Sequence, residues 1–187
     1  MKPACVLALL LLLPAFGGTA LDPDPTLDGL WFKVTVKAKG RAVHSDGTDF
    51  HKDSGMVPAF VHLVLDESAG DGEATTTTYL CEVWTQNLGD TWNVVGSGDV
   101  DVVVTTSDQY VLPDVQAMLS DGNTVLVVRS TLLVKVKHDT QGAVKSAKLS
   151  TLGGETPFGA TSGGFFYGDA KFTGKTVDEA ELPFTPP

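Results

Sequence analysis

The chain has 187 residues, 23 of them acidic and 13 basic, for a formal net charge of −10 at pH 7. So acidic a balance argues against nucleic acid as a partner. With 42% hydrophobic residues and two cysteines, there is material for one buried core and none for a disulfide framework.

Residues 1–20 read as a secretory signal peptide. Lys2 supplies the positive start, residues 6–13 an apolar run too short to span a bilayer, and Gly18-Thr19-Ala20 the small residues of a cleavage site. Cleavage is expected after Ala20, giving a secreted or periplasmic protein. Cys5 leaves with the peptide, and Cys81 is expected to be a buried, inert thiol. Loss of Lys2 takes the charge from −10 to −11. No later run is long and apolar enough for a transmembrane helix. Residues 21–187 are expected to form a single all-β domain with a Pro-rich C-terminal tail.

Period-two alternation dominates that domain. Phe32, Val34, Val36 and Ala38 alternate with Lys33, Thr35, Lys37 and Lys39, which predicts a strand with one apolar and one polar face. A turn-rich loop is expected over 44–55, then an apolar strand over 56–67 and a hairpin loop on Asp71-Gly72. Strands follow over 75–86 and 91–98, the latter continuing over 99–106. Residues 107–122 break the alternation. Pro113 at a helix start, Val115, Met118 and Leu119 at helical spacing, and Gly122 at its end predict one short helix. Further strands are expected over 123–138, 143–152 and 165–176, with a glycine-rich loop between the last two. About eight closely spaced strands give an all-β fold, an antiparallel barrel or barrel-like sandwich with at most one short helix.

Gly29-Leu30-Trp31 stands at the head of the first strand. In a secreted all-β chain of this length, that motif resembles the Gly-x-Trp signature of the lipocalins (calycin-type barrels). The resemblance implies a closed barrel holding a small molecule, with Trp31 plugging one end from inside. Trp31, however, shares parity with Lys33, Thr35 and Lys37. The implied geometry therefore needs a bulge after Trp31, or lysines that point inward.

Charge is unevenly distributed. From Ala42 to Val128 there are fourteen acids and one base, Lys52. The other bases fall near the two ends. Lys33, Lys37, Lys39 and Arg41 share one face of the first strand, and Arg129, Lys135 and Lys137 share one face of a late strand. Lys145, Lys148, Lys171 and Lys175 lie nearby in sequence. In a closed up-and-down barrel the first and last strands are neighbours, so these segments would form a positive stripe suited to an anionic ligand or an acidic glycan surface.

Motifs for chemistry are lacking. No G-x-S-x-G elbow or phosphate loop occurs, and Gly96-Ser97-Gly98 lacks the βαβ setting of a dinucleotide site. Asp46, Asp49 and Asp53 in one loop, and Asp66, Glu67, Asp71 and Glu73 in another, do not match EF-hand spacing. His44, His51, His62 and His138 have no zinc-site spacing, and His62 is expected in the core or lining. No cofactor or metal is implied.

Two functions remain in front. One is an exported, non-enzymatic barrel that binds a small apolar or amphipathic ligand, lined by Trp31, Tyr79, Trp84, Phe166 and Phe172. The other is an envelope-associated or adhesion module with a packed core, acting through the basic strand face. A hydrolase or isomerase with unpatterned site residues is the third reading.

Overall fold

The computed structural model describes residues 25–43, 50–66, 77–86, 91–120, 125–152 and 166–186, with side chains over 25–37, 56–66, 77–86, 91–117, 128–152 and 170–186. The expected signal peptide and the glycine-rich loop lie outside them. Eight strands follow one another: β1 (Leu30–Val43), β2 (Phe50–Leu65), β3 (Thr77–Gln86), β4 (Trp92–Thr106), β5 (Gln109–Ser120), β6 (Val125–His138), β7 (Val144–Thr151) and β8 (Phe166–Val177). Each pairs antiparallel with the next, and β1 pairs antiparallel with β8, so the sheet closes into a barrel.

Closure is easiest to follow at β7. It has eight residues against fourteen in β6. Beyond its end β6 and β8 meet directly, in parallel, from Leu126↔Phe166 to Val128↔Gly168. Hydroxyls stitch the junction. Thr151 Oγ1 accepts from the Phe172 N–H (2.8 Å) and donates to the Ala170 carbonyl (3.3 Å), to which Ser130 Oγ also donates (2.9 Å). The buried polar atoms there are thus satisfied, as a barrel wall requires.

The all-β antiparallel barrel expected from alternation is observed. The short helix is not: residues 109–120 form β5. Pro113 and Asp114 are a bulge, with the β5–β6 register shifting between Leu112 and Val115 and Asp114 at φ 59°. Tyr110 and Leu112 face the core before the bulge, and Val115 and Ala117 after it. The inserted residues therefore reverse the parity, and this break in alternation is what mimicked helical spacing. Pro113 fits a bulge because it has no N–H to give a ladder. The expected loop over 44–55 is also shorter, since β2 begins at Phe50 and pairs with β1 from Val43↔Phe50 onward.

Inside, the described residues form one apolar cluster, with Tyr79, Phe32 and Phe172 its bulkiest fully buried members. One end is stopped by Leu27, on a 3₁₀ turn (Pro25–Leu27) that precedes β1. The Leu27 N–H donates to the Tyr79 hydroxyl (3.2 Å), and Asp28 Oδ1 accepts from the Leu65 N–H (2.8 Å). Gly29, at φ 70°, turns the chain from that plug into β1, and its N–H donates to the Leu63 carbonyl (2.9 Å). A left-handed residue is needed there, which explains the glycine of Gly29-Leu30-Trp31. The interior is apolar and the strand exteriors carry the charge, the reverse of a water-filled outer-membrane barrel. Among the described residues no helix is long and apolar enough to cross a membrane.

The closing seam sets a strict limit at Gly174. A methyl there would overlap the Lys33 carbonyl and stand 2.8 Å from Val34 Cα. Gly174→Ala is expected to lower stability by about 1–3 kcal/mol through overpacking, read as a drop in the urea midpoint at unchanged slope. An unchanged midpoint would contradict the tight β1–β8 closure.

Candidate functional site

The register of β1 decides where its side chains go. Pairing with β2 and with β8 runs through Trp31, Lys33 and Lys37 with no shift. Phe32, Val34 and Val36 therefore enter the core, and Trp31 joins Lys33 and Lys37 on the outer face. Neither alternative posed by parity holds, because there is no bulge after Trp31 and the lysines do not point inward. Leu27 is the interior plug instead.

Trp31 is nonetheless only 4% exposed, because the chain folds back over it. After a second 3₁₀ turn (Glu179–Glu181), Leu182 and Phe184 cap a second cluster formed by Trp31, Phe60 and Trp84, with Trp92 and Val177 at its edge. Phe184 stacks on Trp84 (centroids 5.0 Å apart) and on Trp92 (5.3 Å), and meets Trp31 and Phe60 edge-on. His62, expected in the core or lining, is outward too. It stacks on Trp31 at 3.9 Å, with Nδ1 3.3 Å from Glu82 Oε2, which also accepts from Trp84 Nε1. Stacked and edge-on rings at such spacings are favourable beyond their area.

The structure thus divides the expected lining set. Tyr79 and Phe172 are inside and wholly buried among core neighbours, Trp31 and Trp84 are outside under the tail, and the Phe166 side chain lies outside the described residues. Four of the five do not surround a common space. Sequence reading missed Phe60, Trp92 and Phe184 as partners of Trp31. The signal available was parity: a tryptophan in phase with lysines belongs to the outer face.

The basic segments do come together. Lys33 on β1 stands opposite Lys175 on β8, Lys175 opposite Lys148 on β7, and Lys148 opposite Lys135 on β6. Four exposed lysines thus occupy one cross-strand row, each about 4.8 Å from the next by strand spacing. Lys37 opposite Lys171 begins a second row, and Lys137 and Lys145 are exposed beside the first. Among the described side chains of β1, β6, β7 and β8 there is no carboxylate. The side chains of Lys39 and Arg41 lie outside the described residues. Arg129 leaves the stripe, because it pairs with Asp114 across the β5–β6 seam.

Glu82, Asp99, Asp101 and Asp114 lie on the other side, on β3, β4 and β5. There the wall is irregular. In-register β4–β5 pairs are confined to Val103↔Val111, Val104↔Tyr110 and Thr106↔Gln109. Beyond them a cleft of about 350 Å³ lies between 95–100 and 114–117, with Cys81 among its lining residues. Of the acids and histidines that match no calcium or zinc spacing, Asp46, Asp49, Asp53, Glu67, Asp71, Glu73, His44 and His51 have side chains outside the described residues. His138 lies 3.1 Å from the Gly142 carbonyl in a turn. Among the described residues no three His, Cys, Asp or Glu side chains are grouped to hold a metal.

Burial pushes the Cys81 thiol up to about 12 from 9.0, and the neighbouring Glu82 carboxylate adds to the rise. The thiol therefore stays neutral where an unfolded one would ionise, and attack by thiolate chemistry is suppressed. No protein-family profile matches the chain, and neither a curated protein nor a solved structure is similar to it.

Two outcomes follow from this geometry. Iodoacetamide at pH 8 should leave Cys81 unmodified in the folded protein and label it fully in denaturant. Because the folded pKa is the higher one, the stability tied to Cys81 is complete below pH 9 and declines as pH rises toward 12. Wild type should thus lose its advantage over Cys81→Ala in urea titrations across that range. Separately, Phe184→Ala should lower stability by about 2 kcal/mol, somewhat less than for a fully buried ring. It should also red-shift tryptophan emission. Unshifted emission would mean that the tail does not cover the cluster.

Proposed function

We propose that this chain is a non-enzymatic β-barrel that works outside the cytoplasm and binds an anionic polysaccharide through the lysine row of β1, β8, β7 and β6. The carrying observation is the register itself: Lys33, Lys175, Lys148 and Lys135 stand directly opposite one another. Like charges so placed destabilise a sheet. A stability cost concentrated in one row is what a binding surface shows when selection holds it against folding.

The shape of the row favours a linear polymer. Its positive charges repeat at strand spacing, about 4.8 Å, comparable to the length of one sugar residue. The described outward side chains of this face include no Phe or Tyr, and their one Trp, Trp31, is covered by the tail, so bases find no broad ring to stack on. Export rests on the signal peptide read from residues 1–20. The likeness to lipocalins enters through the eight-stranded up-and-down closure and Gly29-Leu30-Trp31. The outward Trp31, and the burial of Tyr79 and Phe172 among core neighbours, turn the reading from a molecule held inside to a surface outside.

Dextran sulfate and neutral dextran test the proposal. The purified chain should bind the first and not the second, with affinity falling steeply as salt rises. Replacing Lys33, Lys148 and Lys175 together by Gln should weaken binding at least tenfold. Lys175→Gln alone should raise stability by about 0.5 kcal/mol, since it relieves repulsion from both neighbours. Sulfated dextran binding that survives the triple change would overturn the assignment to this face.

A further inference from the structure

We propose that the cleft between β4 and β5 is a binding site for a small apolar amine, separate from the lysine row. The site is built by a local failure of the sheet. Register shifts between Val83 and Trp84 on the β3–β4 side, and between Leu112 and Val115 on the β5–β6 side, re-aim the two strands that bound it. Bulges commonly stand beside functional sites because they open a ladder without unfolding it. Asp114, at φ 59°, is a non-glycine residue in the left-handed region, held by its ion pair with Arg129. Local strain of that kind persists only where the surroundings enforce it.

The interior side of the cleft is lined by small residues. Cys81 stands opposite Gly98 on the core-facing side of β3 and β4, with Gly96 two residues before it and Ala117 across on β5. A Cβ on Gly98 would meet no atom within 4 Å, so the glycine borders open space. Gly96 is different, because a side chain there would strike the β5 backbone at Gln116 and Ala117. One glycine therefore brings the strands together at one end of the cleft, and the other leaves room within it. The volume of about 350 Å³ is roughly twice that of a cavity that takes up benzene.

Charge selects the ligand. The floor is apolar, with Val100, Val115 and Ala117 buried and Cys81 3% exposed. Asp99 and Asp114 stand at the mouth, both exposed, and Asp101 lies two residues along β4. Asp114 is already neutralised in part by Arg129, which leaves Asp99 as the principal anion. An apolar body with one ammonium group satisfies floor and mouth together, whereas a carboxylate of the same shape meets like charge.

Backbone amide NMR titration of the purified chain with n-hexylammonium, n-hexanol and n-hexanoate is the test. The amine should shift amides over 96–100 and 115–117 and leave the Lys33 and Lys175 amides in place. It should bind at least fivefold more tightly than hexanol, and hexanoate should bind weakest. Gly98→Leu, which fills the open space, should abolish these shifts. Asp99→Asn, at an exposed position that does not endanger folding, should bring the amine down to the affinity of hexanol. The proposal is overturned if millimolar amine leaves 96–100 unshifted, if hexanoate binds as well as the amine, or if Asp99→Asn leaves the amine's advantage intact.

Discussion

The uninterrupted register of β1 is the constraint on which the molecule turns. It pairs with β2 and with β8 without a shift, so each residue from Leu30 to Lys37 has its side assigned by parity alone. Phe32, Val34 and Val36 are committed to the core, and Trp31, Lys33 and Lys37 to the surface. An outward tryptophan would leave a large apolar ring in water. The chain answers by bringing Leu182 and Phe184 back across it, next to Phe60, Trp84 and Trp92. The interior, deprived of that ring, is stopped by Leu27 and its bond to the Tyr79 hydroxyl. Plug, outer aromatic cluster and lysine row are three consequences of one phase.

The other half of the wall obeys a looser rule. From β3 to β6 the pairing shifts at Val83/Trp84, between Val104 and Thr106, and at Leu112/Val115. Each shift puts one extra residue into a strand and interrupts the ladder there. Glu82, Asp99, Asp101 and Asp114 lie on this half, where Asp101 takes a hydroxyl hydrogen from Thr78 (2.7 Å) and Asp114 pairs with Arg129. Negative charge and the cleft thus accompany the more irregular pairing, while the lysine face carries a single shift, between Lys137 and His138 on the β6–β7 seam.

Legibility in the sequence followed the same division. Where alternation was unbroken, as in β1 and β6, the fold class, the inward residues and the juxtaposition of the basic segments could be read directly. Parity survives any change in tertiary detail. Where a bulge reverses the phase, as at Pro113-Asp114, local spacing imitated a helix, and only the pairing of Leu112 with Leu132 and of Val115 with Ser130 distinguishes the two. The β4–β5 cleft was invisible because no motif carries it. It depends on what lies opposite Gly96 and Gly98 in space, and glycine alone does not say whether the neighbour is backbone or a void. The cover over Trp31 was hidden for a related reason. Phe184 is some 150 positions away in the chain, in a Pro-rich stretch with no alternation to mark it as a packing element.

Separation of the two charge signs has a mechanical consequence. In the order of closure, β8 and β1 lie across the barrel from β4 and β5. A chain with a net charge of −10 is repelled by a polyanion unless it arrives with the lysine row leading, because the near field of that row is positive while the far side is not. The approach is therefore oriented before contact is made. On the proposed reading, docking through β1, β8, β7 and β6 would hold Asp99 and the β4–β5 cleft away from the polymer and open to solvent. A cationic ligand at that mouth would meet the least competition from the polymer's own counterions, which gather at the opposite face. The two proposed sites then operate without sharing a residue. The β1, β8, β7 and β6 side supplies a row of lysines, and the β4–β5 side supplies a cleft.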